Sequence, residues 1–484
     1  MTIHFIGVCG TAMATLAALL KRKGHDVQGS DENIYPPMSV FLESERIRTL
    51  AGYAADHITG NIDLVVVGNA ISRGNAELEA VLDRKMRYCS LPEAVREHFL
   101  WGSRSIVLAG THGKTSTTAL TGWLLLHGGL DPSILVGGIA RNLGDEGSSY
   151  RLGKGRDFVI EGDEYDSAFF DKTAKFLKYL PDIAVINNVE FDHADIYADL
   201  DAVRLAFRRL VNLVPRSGLL LLGADSMDAA ALKKFAVSPV ETFGLAESAD
   251  WRAADLTVTN GGVSFNVWHA GSRFGTMQIP LFGAHNVRNA LASIAVAHAV
   301  AIPAAVIAEG LVKFRGVKRR LEVFGEAGGV TVYDDFAHHP TAIAETLSGL
   351  RAANPHRRIW AIFEPRSASS SRRVFQRDFA RAFGPADEVI IAPVFRTNLA
   401  EGERLSPQQL VSDLQSSGQR ARYAASLDDI VTTIAKERKD GDLVVFMSNG
   451  GFGGIHQKTL DALTVRLTAS AEAKAVKKPD TTYS

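Results

Sequence analysis

Short apolar runs recur along this chain, and most of them stop at a glycine or a polar cluster. Ile3–Ile6 runs into Gly7-Val-Cys-Gly10 and Asp63–Gly68 into Asn69-Ala-Ile-Ser-Arg73; the more polar His25–Gly29 reads as a second strand with Ser30-Asp31 at its tip. Ser105–Ala109 meets Gly110-Thr-His-Gly-Lys-Thr115, Asp157–Glu161 meets Gly162-Asp-Glu-Tyr-Asp166, and Ile183–Ile186 meets Asn187-Asn-Val-Glu-Phe-Asp-His193. Short unbroken apolar runs with such flanks predict strands buried on both faces, as in a parallel sheet. Helical periodicity lies between them. Thr11–Lys23 is one such stretch, and Gly24 ends it as a C′ residue.

The texture changes between Trp251 and Pro280. Leu256-Thr-Val-Thr, Asn260-Gly-Gly262 and Val263–Trp268 alternate about a turn signal, and Thr276–Ile279 adds another strand. This predicts antiparallel strands appended to the parallel sheet. An alanine-rich helix then starts at His285 and buries Ala290, Leu291, Ile294 and Val296. His285, Asn286 and Asn289 face a different way, and Pro303 opens the first turn of the next helix. Further βα units follow, with strands at Gly329–Asp335, Arg358–Phe363, Glu388–Ala392 and Asp442–Met447 and a helix from about Thr341. Ser90-Leu-Pro92 and Trp101-Gly-Ser103 read as a link. The expected fold is α/β with three domains: a Rossmann-like domain over 1–103, a P-loop ATPase domain over 104–315, and a second Rossmann-like domain over 316–467. Residues 468–484 are rich in Ala, Lys and Ser and read as a disordered tail.

Composition adds exclusions. The 484 residues suit about three domains. Lys plus Arg is 53 and Asp plus Glu is 54, a balance that gives no electrostatic reason to expect nucleic acid or an anionic membrane as partner. Two cysteines, Cys9 and Cys89, make no disulfide framework and fit a reducing compartment. No signal peptide or membrane-length apolar run is evident, so a cytoplasmic location is expected; a monomer is the expectation for an oligomeric state the residues leave open.

The chemistry concentrates where strands end. Gly110, Thr111, His112, Gly113, Lys114, Thr115 and Ser116 form a glycine loop at a helix N-terminus, spaced G-x-x-G-K-T. Backbone N–H groups there converge on phosphate, lysine neutralises its outer oxygens, and a threonine hydroxyl reaches magnesium. Glu161 and His193 end two further strands, which suits a metal beside the phosphates. His193 equally suits orienting a water or carboxylate, or a structural hydrogen bond. The opening Gly7-Val-Cys-Gly10 with Asp31 has the outline of a dinucleotide fold but lacks G-x-G-x-x-G spacing. Cys9 fits that turn by its small size. From charge alone Arg319-Arg320 reads as a solvated linker, and Ser448–Gly454 as a mobile loop or a weak anion nest.

In their order and spacing these motifs resemble the Mur ligase family. Besides those above, they include Ile34-Tyr-Pro-Pro-Met38, Gly68-Asn-Ala70, His285-Asn286 with Asn289, Arg319-Arg320, Tyr333-Asp-Asp-Phe-Ala-His-His-Pro340, Glu364-Pro-Arg-Ser367 and Met447–Gln457. The resemblance runs from Ile3 to about Leu467. It implies an ATP- and Mg2+-dependent amide ligase acting on UDP-N-acetylmuramate. Pro36-Pro37, Glu364-Pro-Arg366 and Ser448–Gln457 side with the members that add the tripeptide L-alanyl-γ-D-glutamyl-meso-diaminopimelate in peptidoglycan recycling, over those that add L-alanine in biosynthesis. By the same resemblance Gly7, Gly10, Thr11, Asp31, Asn69 and Ala70 meet the UDP-sugar. Lys114 holds the β- and γ-phosphates, Thr115 the first magnesium, and Glu161 with His193 the second. Asn286 and Asn289 lie near adenine, Arg320 and Asp335 bridge to the nucleotide as the last domain closes, and Arg366, Ser448 and Asn449 meet the amine substrate. Other branches carry a carbamylated lysine at the second metal. Here the corresponding interval, between Lys178 and Lys233, holds no lysine.

Overall fold

A computed structural model describes residues 1–35, 38–396, 399–400 and 402–464. Pro36-Pro37, the last residues of the expected third domain and the 468–484 tail lie outside the described residues. Among the described residues three large sheets organise the chain in order, one per domain, beside a two-stranded ribbon of Asp166–Ala168 with Asp171–Ala174. The first has five parallel strands, ordered Arg48–Ala51, Asp26–Asp31, Thr2–Ile6, Leu64–Val67, Tyr88–Ser90. The order reverses at Thr2–Ile6 and Leu64–Val67, so Gly7 and Gly68 border the crevice where open α/β sheets take ligands.

The middle sheet has ten strands. At its centre Ile183–Ile186, Arg104–Ala109 and Asp157–Gly162 run parallel, with Ala109 paired to both Ile186 and Gly162. That register brings the Gly110 loop, the acidic cluster and the Asn187–His193 loop to one edge. Leu219–Gly223 and Val240–Gly244 extend the sheet in parallel. Trp251–Thr259 joins in parallel and then pairs antiparallel with Gly262–His269, which pairs with Ser272–Ile279. On the other side, Ser133–Ala140 and Ser148–Arg151 are strands that the apolar pattern did not reveal.

The last sheet has six strands, parallel except Glu322–Ala327 at one edge. Asp335 and Phe363 both pair with Met447, so Asp335, Glu364 and Ser448 meet at one edge.

Three local readings need correction. Of the expected link, Ser90-Leu-Pro92 starts a helix, while Trp101-Gly-Ser103 does connect to the strand Arg104–Ala109 of the middle sheet. Glu93 accepts from the Ser90 N–H at 2.9 Å and hydroxyl at 2.7 Å, which caps the helix Leu91–Val95. A π-helical turn, Arg96–Leu100, follows and brings Phe99 within 5.9 Å of Phe158. Asn289 is buried, because its helix lies against the helix Lys114–His127. Pro303 is the N-cap of Ala304–Val312 and precedes the first turn. Among the described residues no helix is long and apolar enough to cross a membrane.

One apolar cluster runs from the first domain into the middle one, from Leu16 and Leu20 to Phe158 and Phe207. Polar contacts reinforce it: Thr15 Oγ1 lies 2.9 Å from Ser149 Oγ, and the Tyr150 hydroxyl donates to Glu45 at 2.6 Å.

Candidate functional site

The glycine loop adopts the conformation its glycines allow. Gly110 has φ +130° and Gly113 φ +82°, and the helix Lys114–His127 follows at once. A Cβ at Gly113 would sit 2.5 Å from Asn289 Oδ1, so a side chain there is excluded by contact as well as by φ. The first-turn N–H groups of this helix lack intrahelical acceptors, which suits an anion. Lys114 Nζ donates to Gly110 O at 2.8 Å and Thr111 O at 3.1 Å, and lies 2.8 Å from Glu164 Oε2. Burial opposes its charge, but Glu164 and Asp163 hold its pKa above the usual lysine value.

The acids divide the work. Thr115 Oγ1 donates to Glu161 Oε1 at 2.8 Å, and the Gly137 N–H donates to Glu161 Oε2 at 2.6 Å. Burial and the neighbouring Asp163 raise the Glu161 pKa. His193 does not bond Glu161. Its Nε2 lies 2.9 Å from Glu164 Oε1, which also receives Lys114 at 3.0 Å. Burial favours a neutral Glu164, but Lys114 and then His193 outweigh it and keep the carboxylate ionised. Glu164 is the residue that sequence reasoning missed. It lies inside the quoted acidic cluster, but the sequence does not say which of those acids turns inward. His193 itself sits at φ +54°, with the Tyr165 ring 4.2 Å from its own.

The last domain reaches this edge through its first residues. Arg320 Nη2 donates to Thr115 Oγ1 at 3.1 Å. Asp335 Oδ2 accepts from the Leu321 N–H at 2.5 Å and Oδ1 from Ala337 at 2.8 Å, so Asp335 fixes the segment carrying Arg320. Burial raises the Asp335 pKa and lowers that of Arg320. Arg319 is no solvated linker. It donates to Ser448 O at 2.8 Å, Gly450 O at 2.6 Å and Asp334 at 3.0 Å.

A second group of side chains joins the loop to the last domain. The His112 and His339 rings lie 4.5 Å apart, His112 Nε2 is 3.4 Å from Glu190 Oε2, and Thr341 Oγ1 donates to Glu190 Oε2 at 2.6 Å. Burial and the neighbouring His112 lower the His339 pKa to about 3, so its ring is neutral.

The remaining expected residues are dispersed around this centre. Asn286 Nδ2 donates to Phe282 O at 2.8 Å, and Asn289 Oδ1 accepts from Thr117 at 3.2 Å. Asn289 therefore braces the loop helix. Asp31 Oδ2 accepts from the Cys9 N–H at 2.9 Å, and Gly7 N donates to Ser30 O at 2.9 Å, so Asp31 holds the first glycine loop. Gly10 is the N-cap of the helix starting at Thr11. Asn69 donates to Asp166 at 3.1 Å, which places it and Ala70 at the seam with the middle domain. Burial pushes the Cys9 thiol up to about 11, in keeping with a packing role. The Ser448 hydroxyl donates to Glu364 at 2.5 Å and is buried, so it faces inward. Arg366 lies 3.6 Å over the Phe395 ring, and Asn449 Oδ1 is buried without a hydrogen-bond partner among the described residues.

These residues fit a nucleotide with magnesium. The loop sets first-turn N–H groups at a helix N-terminus, which suits an anion, and Thr115 and Glu161 offer the hard oxygens that magnesium prefers.

Comparison with known proteins follows the same division. Residues 2–100 match the model "Mur ligase family, catalytic domain", residues 108–297 "Mur ligase middle domain", and residues 319–450 "Mur ligase, glutamate ligase domain". The chain is 40% identical over 472 residues to the UDP-N-acetylmuramate–L-alanyl-γ-D-glutamyl-meso-2,6-diaminoheptandioate ligase of Escherichia coli K12, covering 97% of this chain and 100% of that one. It is 34% identical over 465 residues to the UDP-N-acetylmuramate–L-alanine ligase of Clostridium novyi, covering 95% and 97%. Among solved structures, a murein peptide ligase from Psychrobacter arcticus 273-4 matches with TM-score 0.71 at 36% identity, covering 96% of this chain and 98% of that one.

Proposed function

The chain belongs to the Mur ligase family and is a ligase, and from that premise we propose that it joins UDP-N-acetylmuramate to L-alanyl-γ-D-glutamyl-meso-diaminopimelate at the expense of ATP, in the cytoplasm, during peptidoglycan recycling. The full-length 40% identity to a tripeptide ligase, against 34% to an L-alanine ligase, carries the choice of amine.

The lactyl carboxylate of the sugar attacks the γ-phosphorus of ATP and becomes an acyl phosphate, with ADP leaving. The tripeptide amine then attacks the acyl carbon, loses a proton, and expels phosphate. Lys114 and the loop N–H groups stabilise charge on the transferring phosphoryl group. Thr115, Glu161 and His193 hold magnesium, which neutralises phosphate charge when bound. Glu164 aligns Lys114 with His193. Arg320 brings a further positive charge from the last domain, and Asp335 fixes its segment. Asn286 and Asn289 line the adenine side. Gly7, Gly10, Thr11, Asp31, Asn69 and Ala70 form the UDP-sugar side, and Arg366 and Asn449 the amine side, with Ser448 behind them on Glu364.

Purified protein supplied with UDP-N-acetylmuramate, ATP and either amine tests the reading. Amide product forms faster with the tripeptide. Faster product formation with L-alanine would instead assign the chain to biosynthesis.

A further inference from the structure

We propose that His112, Glu190 and His339 form a binding site for a borderline transition-metal ion such as Zn2+, separate from the magnesium site, that ties the phosphate loop to the last domain. One ligand atom from each of the three lies within 4.8 Å of the others. His112 Nε2 is 3.4 Å and His339 Nδ1 3.8 Å from Glu190 Oε2. Ligands about 2.0–2.1 Å from a tetrahedral zinc stand roughly 3.3 Å apart, so small side-chain movements close the set.

Hydrogen bonding fixes which nitrogen of His339 carries a lone pair. His339 Nε2 lies 3.2 Å from Phe191 O, a carbonyl that only accepts, so the proton resides on Nε2 and the lone pair on Nδ1. That lone pair faces the Thr341 N–H at 3.3 Å and the Glu190 carboxylate oxygen at 3.8 Å. Both atoms accept from Thr341, Nδ1 from its N–H at 3.3 Å and Glu190 Oε2 from its hydroxyl at 2.6 Å, so a cation enters by displacing the long N–H contact on Nδ1. His112 Nε2 is buried with no hydrogen-bond partner among the described residues. The Phe191 carbonyl behind His339 is the outer support that ligating histidines ordinarily have. The Glu190 backbone is also pinned, since its N–H donates to Thr111 Oγ1 at 2.9 Å.

Two imidazoles and one carboxylate select zinc or cobalt over magnesium, which prefers oxygen. His112 belongs to the glycine loop and His339 to the last domain, so an ion here locks the two together. Occupancy slows turnover, because the last domain must part from the loop to release product.

Full-length protein saturated with Mg2+ is titrated with Co2+ and followed by visible absorption. One equivalent produces the intense bands of tetrahedral cobalt. Glu190→Gln and His339→Asn each weaken this binding at least about tenfold, whereas His193→Asn leaves it intact. Glu190→Asp, which keeps the charge on a shorter arm, shifts the bands and weakens binding, and serves if either other variant fails to fold. In the same titrations Zn2+ slows ligase turnover of the wild type more than that of Glu190→Gln. Bands that persist unchanged in the Glu190 and His339 variants, that vanish in His193→Asn, or that never saturate overturn the proposal. Equal zinc inhibition of wild type and Glu190→Gln does so too.

Discussion

Arg320, at the start of the last domain, donates a hydrogen bond to Thr115 Oγ1 across 3.1 Å, and the Thr115 hydroxyl in turn donates to Glu161 at 2.8 Å. The seam between two domains therefore runs through the hydroxyl that serves magnesium in the proposed reaction. Loss of one charge-assisted hydrogen bond costs about 1.5–3 kcal/mol. Arg320→Lys keeps the charge but not the planar fork. It should lower kcat about ten- to a hundredfold and leave the KM for the UDP-sugar near that of the wild type. An unchanged kcat would remove Arg320 from the reaction.

Lys114→Ala removes the cation at the head of the loop. Turnover should fall by a factor of about a hundred to a thousand, measured as phosphate release with both substrates present. Circular dichroism and the melting temperature establish that the variant is folded. Near-normal turnover would show that phosphate is handled elsewhere.

Glu164→Gln tests the residue that joins Lys114 to His193. The amide keeps the shape and loses the charge that draws Lys114 and His193 together. The expected result is a loss in kcat of about ten- to a hundredfold with UDP-sugar binding retained in calorimetry. If Glu164→Gln matched the wild type while Glu161→Gln did not, Glu164 would be only a packing partner of Lys114.

Glu77 offers a pH test away from the reacting centre. It is buried in the first domain, with His57 Nδ1 2.6 Å and His4 Nε2 3.1 Å from its carboxylate and the Ser30 hydroxyl at 2.5 Å. Burial alone would raise its pKa, but His4 and Ser30 outweigh that and lower it. A carboxyl whose folded pKa lies below its unfolded value stabilises the fold above the unfolded pKa. That stability is lost as pH falls through the folded value. Glu77→Gln should therefore melt several degrees below the wild type at neutral pH, and the gap should close below the normal carboxylate range of about 4. Melting curves across pH 3 to 8, on the order of one unit apart, read this out. A gap that stays constant with pH would assign the effect to packing.

The parts of this molecule that were legible in the sequence are those governed by local rules. Gly110 and Gly113 could be placed because left-handed backbone demands glycine, and Lys114 because a helix must begin after them. The central strands were visible because burial on both faces makes them uniformly apolar. Ser133–Ala140 was not, since Gly137-Gly138 interrupts its apolar run, yet the Gly137 N–H turns out to hold Glu161. Arg319 looked like a linker charge because its partners, Ser448 and Gly450, lie far along the chain. Glu164 was hidden among four acids for the same reason: its partner His193 arrives from another strand. Long-range pairing decides these cases, and a single sequence does not display it.

The apolar cluster common to the first two domains bears on how the enzyme handles its cargo. Proteins divide at joints where packing is thin, and that joint is packed with side chains such as Phe99, Phe158 and Tyr150. The last domain meets the middle one through a smaller apolar contact, Phe191 stacked on Phe375, and through charged and polar side chains, among them Arg320, Thr341 and Arg288 with Glu345. Salt weakens such contacts far more than it weakens an apolar core. Raising ionic strength should thus loosen one wing of the molecule and leave the other rigid, so that the first two domains remain mutually aligned while the cleft to the last domain widens.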